Sequence, residues 1–269
     1  MTSSDTVFSG SIAEFYDRFM VPLIFAPYAI DLAGRVPAAA RDILEVAAGT
    51  GAVTRAMAAR FSGDARIVAT DLNQPMIDYA ARRFAADRRV EWRQADALAL
   101  PFDAASFDAV VCQFGAMFFP DRVRGYREAR RVLRKSGRYL FNVWDRISEN
   151  VFADIITEAL VPFQPDNPPR FLARTPHGYH DAEKIRAELV EADFTAISID
   201  AVEKTSRADS ALDVARAYCH GTPLRNEIEA IPGLGLEAAT QTAAEALRRR
   251  FGSGPIAGPI KALIIAASA

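Results

Sequence analysis

Residues 43–54 read Ile-Leu-Glu-Val-Ala-Ala-Gly-Thr-Gly-Ala-Val-Thr, and this stretch decides the fold. The apolar run at its start predicts a buried strand, and the glycines predict a tight turn into a helix from Ala52 to Phe61. Because glycine has no Cβ, a ligand can approach the backbone of such a turn. A second predicted strand ends at Asp71, about twenty residues after Gly51, where a carboxylate can accept the hydroxyl hydrogens of a ribose.

Strand and helix patterns continue to alternate after this stretch. The predicted strands are 43–47, 65–70, 90–94, 107–112 and 138–143, and the predicted helices between them are 52–61, 75–86 and 121–133. Strands separated by helices imply crossover connections, which make the strands parallel and cover both faces of the sheet. The sequence therefore predicts a doubly wound α/β core over residues 41–145, with ligands at the carboxyl ends of its strands.

Acidic residues stand at or near the ends of the first three predicted strands. A carboxylate at Glu45, just before the turn, would repel a pyrophosphate but suits the cationic amino-acid end of S-adenosylmethionine. Asp96 can accept a hydrogen bond from the adenine amine while Ala97 offers its backbone amide. A nicotinamide site would have glycine where Thr54 stands. These residues favour S-adenosylmethionine, with an NAD(P)-dependent oxidoreductase or a non-catalytic cofactor-binding protein as alternatives.

The same region resembles the class I S-adenosylmethionine-dependent methyltransferases, in particular the small-molecule branch (methyltransferase type 11) that includes the ubiquinone and menaquinone C-methyltransferases. The resemblance runs in order from about Arg41 to Asp145. It is carried by residues 43–51 (ILEVAAGTG), 68–76 (VATDLNQPM), 94–98 (QADAL), 100–102 (LPF), 106–110 (SFDAV) and 131–138 (RVLRKSGR). It implies a Rossmann-like, mostly parallel seven-stranded sheet with helices on both faces, N-terminal helices and a helical cap.

The resemblance also implies a cofactor and the residues that hold it. S-adenosylmethionine would donate the methyl group and leave as S-adenosylhomocysteine, and the acceptor would be a small, partly apolar molecule methylated on oxygen or carbon. The family usually has glycine where this chain has Ala47. An aromatic lid over the cofactor would come from the N-terminal helices. The expected cofactor-binding residues are Tyr16, Phe25, Glu45, Ala47, Gly49, Thr50, Gly51, Thr54, Asp71, Leu72, Met76, Asp96, Ala97, Gln113 and Phe114.

A general base is optional for methyl transfer, because the protein mainly aligns the nucleophile, the methyl carbon and the sulfur. The candidates are His177, Tyr179 and His180 within residues 175–180 (TPHGYH), which could take a proton from a hydroxyl or an activated carbon. The alternative is a solvated loop before a helix. Asp108, in the fourth predicted strand, is interpreted as structural.

The rest of the chain is expected to surround this core within the same domain. Residues 1–40 are predicted as an N-terminal helical lid, interrupted by Pro22 and Pro27. Residues 146–269 are predicted to supply cap insertions and the remaining strands. The apolar cap residues indicate an aromatic or isoprenoid-like acceptor; they are Phe152, Ile155, Ile156, Leu160, Phe163, Phe171 and Leu172.

The composition narrows the classes of partner. The 269 residues carry a formal charge of −2 and the pI is about 6.0, so binding to nucleic acid through a broad basic surface is not indicated. Residues 166–170 (DNPPR) lack the aromatic that nucleic-acid amino-methyltransferases stack on a flipped base. Two separated cysteines and three histidines predict no metal site. We expect a cytoplasmic enzyme without stable membrane insertion, and a homodimer is possible.

Overall fold

The computed structural model describes residues 10–61, 63 and 65–269, with side chains from residue 13 onward. Its described residues form one seven-stranded sheet in the order β3-β2-β1-β4-β5-β7-β6. Strands β1 to β5 are parallel, and β7 runs antiparallel between β5 and β6. This confirms the predicted doubly wound, mostly parallel sheet. The strands are β1 Asp42–Val46, β2 Arg66–Asp71, β3 Val90–Gln94, β4 Phe107–Gln113, β5 Leu133–Trp144, β6 Thr195–Ala208 and β7 Ile256–Ser268.

Helices cover the sheet and enclose its carboxyl edge. Short 3₁₀ turns at 116–118, 147–149 and 161–163 join some of them, and a π-helix, Tyr16–Phe25, follows α1. The α-helices are α1 Gly10–Phe15, α2 Ala26–Arg35, α3 Ala52–Arg60, α4 Gln74–Arg83, α5 Arg122–Val132, α6 Val151–Leu160, α7 Phe171–Arg174, α8 Ala182–Glu191, α9 Ala211–Gly221, α10 Leu224–Glu229 and α11 Leu236–Phe251. Among the helices of the described residues, none has the length and apolarity to cross a bilayer.

The position of the ligand site follows from the strand order. Strand β1 pairs with β2 on one side and with β4 on the other, so the chain reverses its direction of winding between β1 and β4. Loops leaving the carboxyl ends of these two strands diverge to opposite faces of the sheet and leave a crevice. Apolar residues keep the strands in place here, because Ile43, Leu44 and Val110 are fully buried.

The two prolines of the N-terminal helical segment lie in different kinds of helix. Pro27 stands in the first turn of α2, where its missing N–H would have no intrahelical partner anyway. Pro22 lies inside the π-helix. Helical segments with i→i+5 hydrogen bonds are rare in proteins overall, and those that do occur often lie at functional sites. The π-helix directs Met20, Ile24 and Phe25 inward, toward the carboxyl edge of the sheet.

Several boundaries also differ from prediction. Strand β5 begins at Leu133 rather than at residue 138, because the chain bulges between the pairs Phe107–Leu133 and Ala109–Arg138. Strands β6 and β7 are long, since each supplies the other's hydrogen bonds along most of its length. The proline-rich segment 163–176 contains the short helix α7. Asp108 is structural as predicted: its carboxylate accepts hydrogen bonds from the backbone of Arg41 and from Arg134.

Candidate functional site

A cleft of about 870 Å³, including its open mouth, lies at the carboxyl ends of β1 to β4. Its size suits a small-molecule ligand. Most of the expected cofactor residues line it, namely Tyr16, Ala47, Gly49, Asp71, Leu72, Met76, Asp96, Ala97, Gln113 and Phe114. A recess of about 320 Å³ continues it toward the turn after β1, and Phe25, Glu45 and Thr50 line this recess. Gly51 and Thr54 line neither space.

The turn after β1 holds its shape through backbone hydrogen bonds. The Ala48 amide donates to the Thr70 carbonyl at 2.8 Å, and the Gly51 amide donates to the Ala48 carbonyl at 2.9 Å. Gly49 has φ +56°, and a Cβ there would meet no atom within 4 Å. The absent side chain therefore leaves open space beside the turn, where a ligand can contact the backbone.

Ala47 has φ +55°, a left-handed conformation that favours glycine. This conformation costs an L-residue about 1 kcal/mol, so replacement of Ala47 by glycine stabilises the folded state by relieving that strain. Glycine also raises the conformational entropy of the unfolded chain, which opposes the gain. We expect Ala47→Gly to change the free energy of unfolding by less than about 1 kcal/mol, whereas Ala48→Gly, at ordinary φ, costs about 1 kcal/mol. Urea denaturation measures both. A larger loss at Ala47 than at Ala48 would contradict this account.

Glu45 is buried at the base of the recess. Its Oε2 accepts a hydrogen bond of 2.5 Å from the Thr54 hydroxyl, and burial raises the pKa of the carboxyl to about 8. Thr54 lies within helix α3 and neither caps that helix nor lines the cleft. Its position on the helix turns the hydroxyl toward Glu45, so Thr54 holds the carboxyl group in place.

Asp71 joins the turn after β1 to the turn after β2. Its Oδ2 accepts the Gly49 amide at 2.9 Å, and its Oδ1 accepts the Asn73 amide at 2.8 Å and the Asn73 side chain at 3.3 Å. Burial raises the pKa of this carboxyl, and these donors oppose the rise. A carboxylate has about four acceptor positions, so Oδ2 keeps one for a ligand hydroxyl.

The turn after β3 presents its backbone to the same cleft. The Asp96 Oδ1 accepts the Leu98 amide at 2.9 Å, and the Ala95 amide donates to the Asp71 carbonyl at 3.0 Å. Leu72 is 53% exposed at the cleft wall, which is unusual for a large apolar side chain beside a core. Asp96 is itself exposed and retains acceptor positions. This arrangement offers an apolar wall and a carboxylate to a flat, amine-bearing ring.

Two polar side chains at the cleft are buried without partners among the described residues. These are Gln113 Oε1 and Thr50 Oγ1. Such groups are uncommon in folded proteins, because each loses its hydrogen bonds to water. Both atoms belong to residues that line the recess, so a polar ligand there would satisfy them.

A second cavity, of about 580 Å³, adjoins the cleft and shares Tyr16, Phe114 and Phe118 with it. Phe114 stacks on Trp144 with ring centroids 3.8 Å apart, and Asn142 Oδ1 accepts the Phe114 amide at 2.9 Å. No acidic side chain, lysine or arginine is among the residues that line this cavity; they are Tyr16, Met20, Ile24, Phe25, Phe114, Met117, Phe118, Trp144, Asn150, Phe171, Leu172, Pro176, His177, Tyr218, Thr222 and Pro223.

The predicted cap residues contribute less to this cavity than expected. Only Phe171 and Leu172 of that set line it. Phe152, Ile156 and Leu160 are fully buried in the hydrophobic core, because their helix α6 packs against α11. Sequence patterning identified them as apolar and could not show which surface they cover. Tyr218 and Met117 were missed, and no motif marks them.

The structure brings one of the three catalytic candidates to the cavity. His177 lines it, whereas Tyr179 and His180 do not. The Tyr179 hydroxyl hydrogen-bonds with the Tyr126 hydroxyl at 2.9 Å and donates to Glu188. His180 Nδ1 is 2.7 Å from the His177 carbonyl oxygen, so it donates there. Neighbouring side chains of this turn point in different directions, and the sequence does not reveal which of them faces the ligand.

The family model for a methyltransferase domain matches residues 43–137, which hold the cleft and its turns. Residues 43–137 are therefore similar to a methyltransferase domain. The chain is also 46% identical over 102 residues to a demethylmenaquinone methyltransferase of Clavibacter sepedonicus, covering 38% of this chain and 40% of that protein. The chain thus spans less than half the length of several of its curated relatives.

Solved structures extend the likeness of the methyltransferase domain to the fold of the whole chain. The Haemonchus contortus phosphoethanolamine N-methyltransferase 2, in complex with S-adenosylhomocysteine, matches with a TM-score of 0.61 at 14% identity, over 100% of this chain and 60% of that chain. The [4+2]-cyclase SpnF matches with a TM-score of 0.57 at 16% identity, over 96% and 94%. Likeness at this level shows the fold alone, because one fold supports more than one reaction.

Proposed function

We propose that the protein is an S-adenosylmethionine-dependent methyltransferase that methylates a small, partly apolar acceptor on oxygen or carbon. The observation that carries the proposal is that the cleft adjoins a second cavity whose lining has a different polarity. A cleft with carboxyl groups at Glu45, Asp71 and Asp96 adjoins an uncharged apolar cavity, and Phe114 forms a wall of both. This arrangement supports a charged, polar cofactor on one side and an apolar acceptor on the other.

The residues of the cleft suit the successive parts of S-adenosylmethionine, from its ammonium end through the ribose to the adenine. Glu45, with the unpartnered Thr50 and Gln113 oxygens, suits the ammonium end of the cofactor. Asp71 suits the ribose hydroxyls, and Asp96 with the exposed Leu72 suits adenine. When bound, this cofactor supplies a methyl group on a cationic sulfur. The protein's contribution is to hold both molecules in line and to exclude water.

A nicotinamide cofactor fits these residues less well. Its pyrophosphate would need free backbone amides at the start of α3, but the Gly51 amide already donates to the Ala48 carbonyl. The Glu45 carboxyl group lies beside the same turn, where it offers a pyrophosphate no positive charge. The name of the Clavibacter relative supports an apolar acceptor. The helical lid, the homodimer and the cytoplasmic location stay predictions.

Titration calorimetry with S-adenosylmethionine and S-adenosylhomocysteine tests the proposal, with NADH as the control ligand. We expect binding of both sulfur compounds with roughly micromolar dissociation constants and no heat from NADH. Binding of NADH alone would overturn the proposal. Formation of S-adenosylhomocysteine with an added acceptor then separates an enzyme from a protein that only binds the cofactor.

Binding of S-adenosylhomocysteine is expected to release protons at pH 7. Glu45 has a pKa of about 8 in the free protein because of burial, so it is mostly protonated at that pH. A ligand ammonium nearby stabilises the carboxylate and lowers the pKa, and the proton leaves. Calorimetry in phosphate and in Tris, which differ in ionisation enthalpy, should report release of roughly one proton.

The matched control for this release is Glu45→Gln, which keeps an acceptor for the Thr54 hydroxyl but has no proton to lose at pH 7. Its binding enthalpy should be the same in both buffers. If the wild-type enthalpy were also independent of the buffer, the ammonium would not lie beside Glu45.

A further inference from the structure

His177 is placed in the acceptor cavity in a defined tautomeric state. Its Nδ1 lies 2.8 Å from the Asp145 carbonyl oxygen. A carbonyl oxygen only accepts, so Nδ1 must carry the hydrogen and Nε2 must carry the lone pair. Within the described part of the chain, no hydrogen bond to Nε2 is formed. Nε2 is therefore the ring nitrogen left for a molecule in the cavity, where His177 forms part of the wall.

The lone pair on Nε2 stays available at neutral pH. Burial lowers the pKa of His177 to about 4, with His180 adding to the decrease and the Asp145 carbonyl and carboxylate opposing it. The imidazole is consequently uncharged over the range in which most enzymes work. A neutral imidazole can accept a hydrogen bond and then a proton.

Two other polar side chains of the cavity wall, Asn150 and Thr222, form hydrogen bonds with other residues of the protein. Asn150 Nδ2 donates to the Lys261 carbonyl at 3.2 Å, and its Oδ1 accepts the Lys261 amide at 3.1 Å. The Thr222 hydroxyl donates to the Tyr218 carbonyl at 2.7 Å and accepts the Leu224 amide. Among the described residues, His177 Nε2 and the Tyr218 hydroxyl are the groups of this wall left without a hydrogen bond. Burial raises the pKa of Tyr218, so its hydroxyl stays protonated and the imidazole is the group that can take a proton.

The charge of the cavity wall restricts the acceptor. The described residues of the wall include no carboxylate, lysine or arginine, so a charged acceptor would lose its hydration without gaining a counter-ion from them. Aromatic rings such as Trp144 and Phe25 can attract a cation, but an ammonium has no lone pair with which to attack a methyl carbon. The wall therefore favours a neutral molecule with one protic group placed toward Nε2.

We infer that the acceptor is a neutral, hydroxyl-bearing apolar molecule, and that His177 Nε2 is the base that takes its proton during O-methylation. This rests on the function proposed above. The acceptor oxygen forms a bond to the methyl carbon, and the carbon–sulfur bond breaks with its electron pair left on sulfur. The hydroxyl proton becomes strongly acidic as the new bond forms and passes to Nε2. The resulting imidazolium donates to the Asp145 carbonyl and returns the proton to solvent after release of the product.

Equilibrium binding tests this without turnover. The probes are one-ring and two-ring phenols, their methyl ethers, and the matched benzylammonium and carboxylate compounds, each titrated into the protein saturated with S-adenosylhomocysteine. We expect wild type to bind phenols about threefold to tenfold more tightly than the ethers, the contribution of one hydrogen bond. The charged compounds should bind more weakly than either. His177→Asn, which keeps a donor for the Asp145 carbonyl, should lose the preference for the phenol.

Turnover supplies a second readout. His177→Asn should lower kcat for phenol methylation by on the order of 10²-fold and change KM only a few-fold, because general bases act mainly in the transition state. The control is His220→Asn, which removes an imidazole that lies outside the cavity and bonds to Thr240, and it should leave kcat within about twofold.

The outcomes separate this inference from the proposed function. If neither the wild-type protein nor any variant binds S-adenosylhomocysteine, the proposed function itself fails. If wild type binds it but prefers a methyl ether, a benzylammonium or a carboxylate to every phenol, the inference alone is overturned. An unchanged kcat in His177→Asn would likewise overturn it. Should His177→Asn fail to fold, the preference of wild type among the four compound classes still decides the acceptor.

Discussion

Asp71→Asn is expected to weaken the binding of S-adenosylhomocysteine by on the order of 10²-fold. The carboxylate accepts charge-assisted hydrogen bonds from ligand hydroxyls, each contributing about 1.5–3 kcal/mol. An amide offers one oxygen and a donor in place of two acceptor oxygens. That donor would face the Gly49 or Asn73 amide, which now donates to the carboxylate. Titration calorimetry measures the change in the dissociation constant.

The structural role of Asp71 adds a smaller effect on stability. Loss of one of its backbone hydrogen bonds should lower the free energy of unfolding by about 1–2 kcal/mol in urea denaturation. Asp78→Asn is the matched control, because this carboxylate lies exposed on α4 and accepts from Gln74. It should change neither quantity measurably. Wild-type affinity in Asp71→Asn would show that the ribose lies elsewhere.

Gly115→Ala is expected to lower both stability and cofactor affinity. A Cβ at this position would lie 2.5 Å from the Ala47 Cβ and 2.8 Å from Cys112 Sγ, both far inside normal contact distance. One neighbour must move, at a cost of about 1–3 kcal/mol for overpacking. Ala47 belongs to the turn that lines the cleft, so its displacement should also weaken S-adenosylhomocysteine binding severalfold. Urea denaturation and calorimetry on the same preparations measure the two effects.

A double substitution identifies which contact is responsible. Ala47→Gly removes the atom nearest to the new Cβ, so it should restore part of the stability lost in Gly115→Ala, and the contact with Cys112 should keep the rescue incomplete. Gly254→Ala is the control, since a Cβ there meets no atom within 4 Å. If the double variant were as unstable as the sum of the single variants, Ala47 would not be the colliding group.

Much of the cleft could be predicted because its residues follow consecutive strands. Val46, Asp71 and Gln113 end β1, β2 and β4, and the carboxyl ends of parallel strands meet at one edge of the sheet. Hydrophobic periodicity and glycine turns are local signals, so they are visible in the sequence. The positive φ of Ala47 was not predicted, because only tertiary contacts hold a non-glycine residue in that conformation.

The acceptor cavity could not be predicted in the same way. Its wall combines the π-helix, the segment after β4, helix α7, and the end of α9 with the two residues after it, which are far apart in the chain. His177, Tyr179 and His180 are near neighbours in sequence, yet packing turns one into the cavity, one toward Tyr126 and one toward the backbone. Which side chain is free for a ligand depends on hydrogen bonds to distant residues such as Asp145.

The sequence by itself determined the α/β core, the strand ends that carry the carboxyl groups, and the class of cofactor that these groups suit. These properties depend on hydrophobic period, turn residues and spacing, all of which act over short stretches of chain. The tertiary structure decided the direction of each side chain and the tautomer of His177. It also placed the acceptor cavity next to the cleft, with Phe114 in the wall of both. Those depend on contacts between segments far apart in sequence, because burial and hydrogen bonding are settled only when the whole chain has packed.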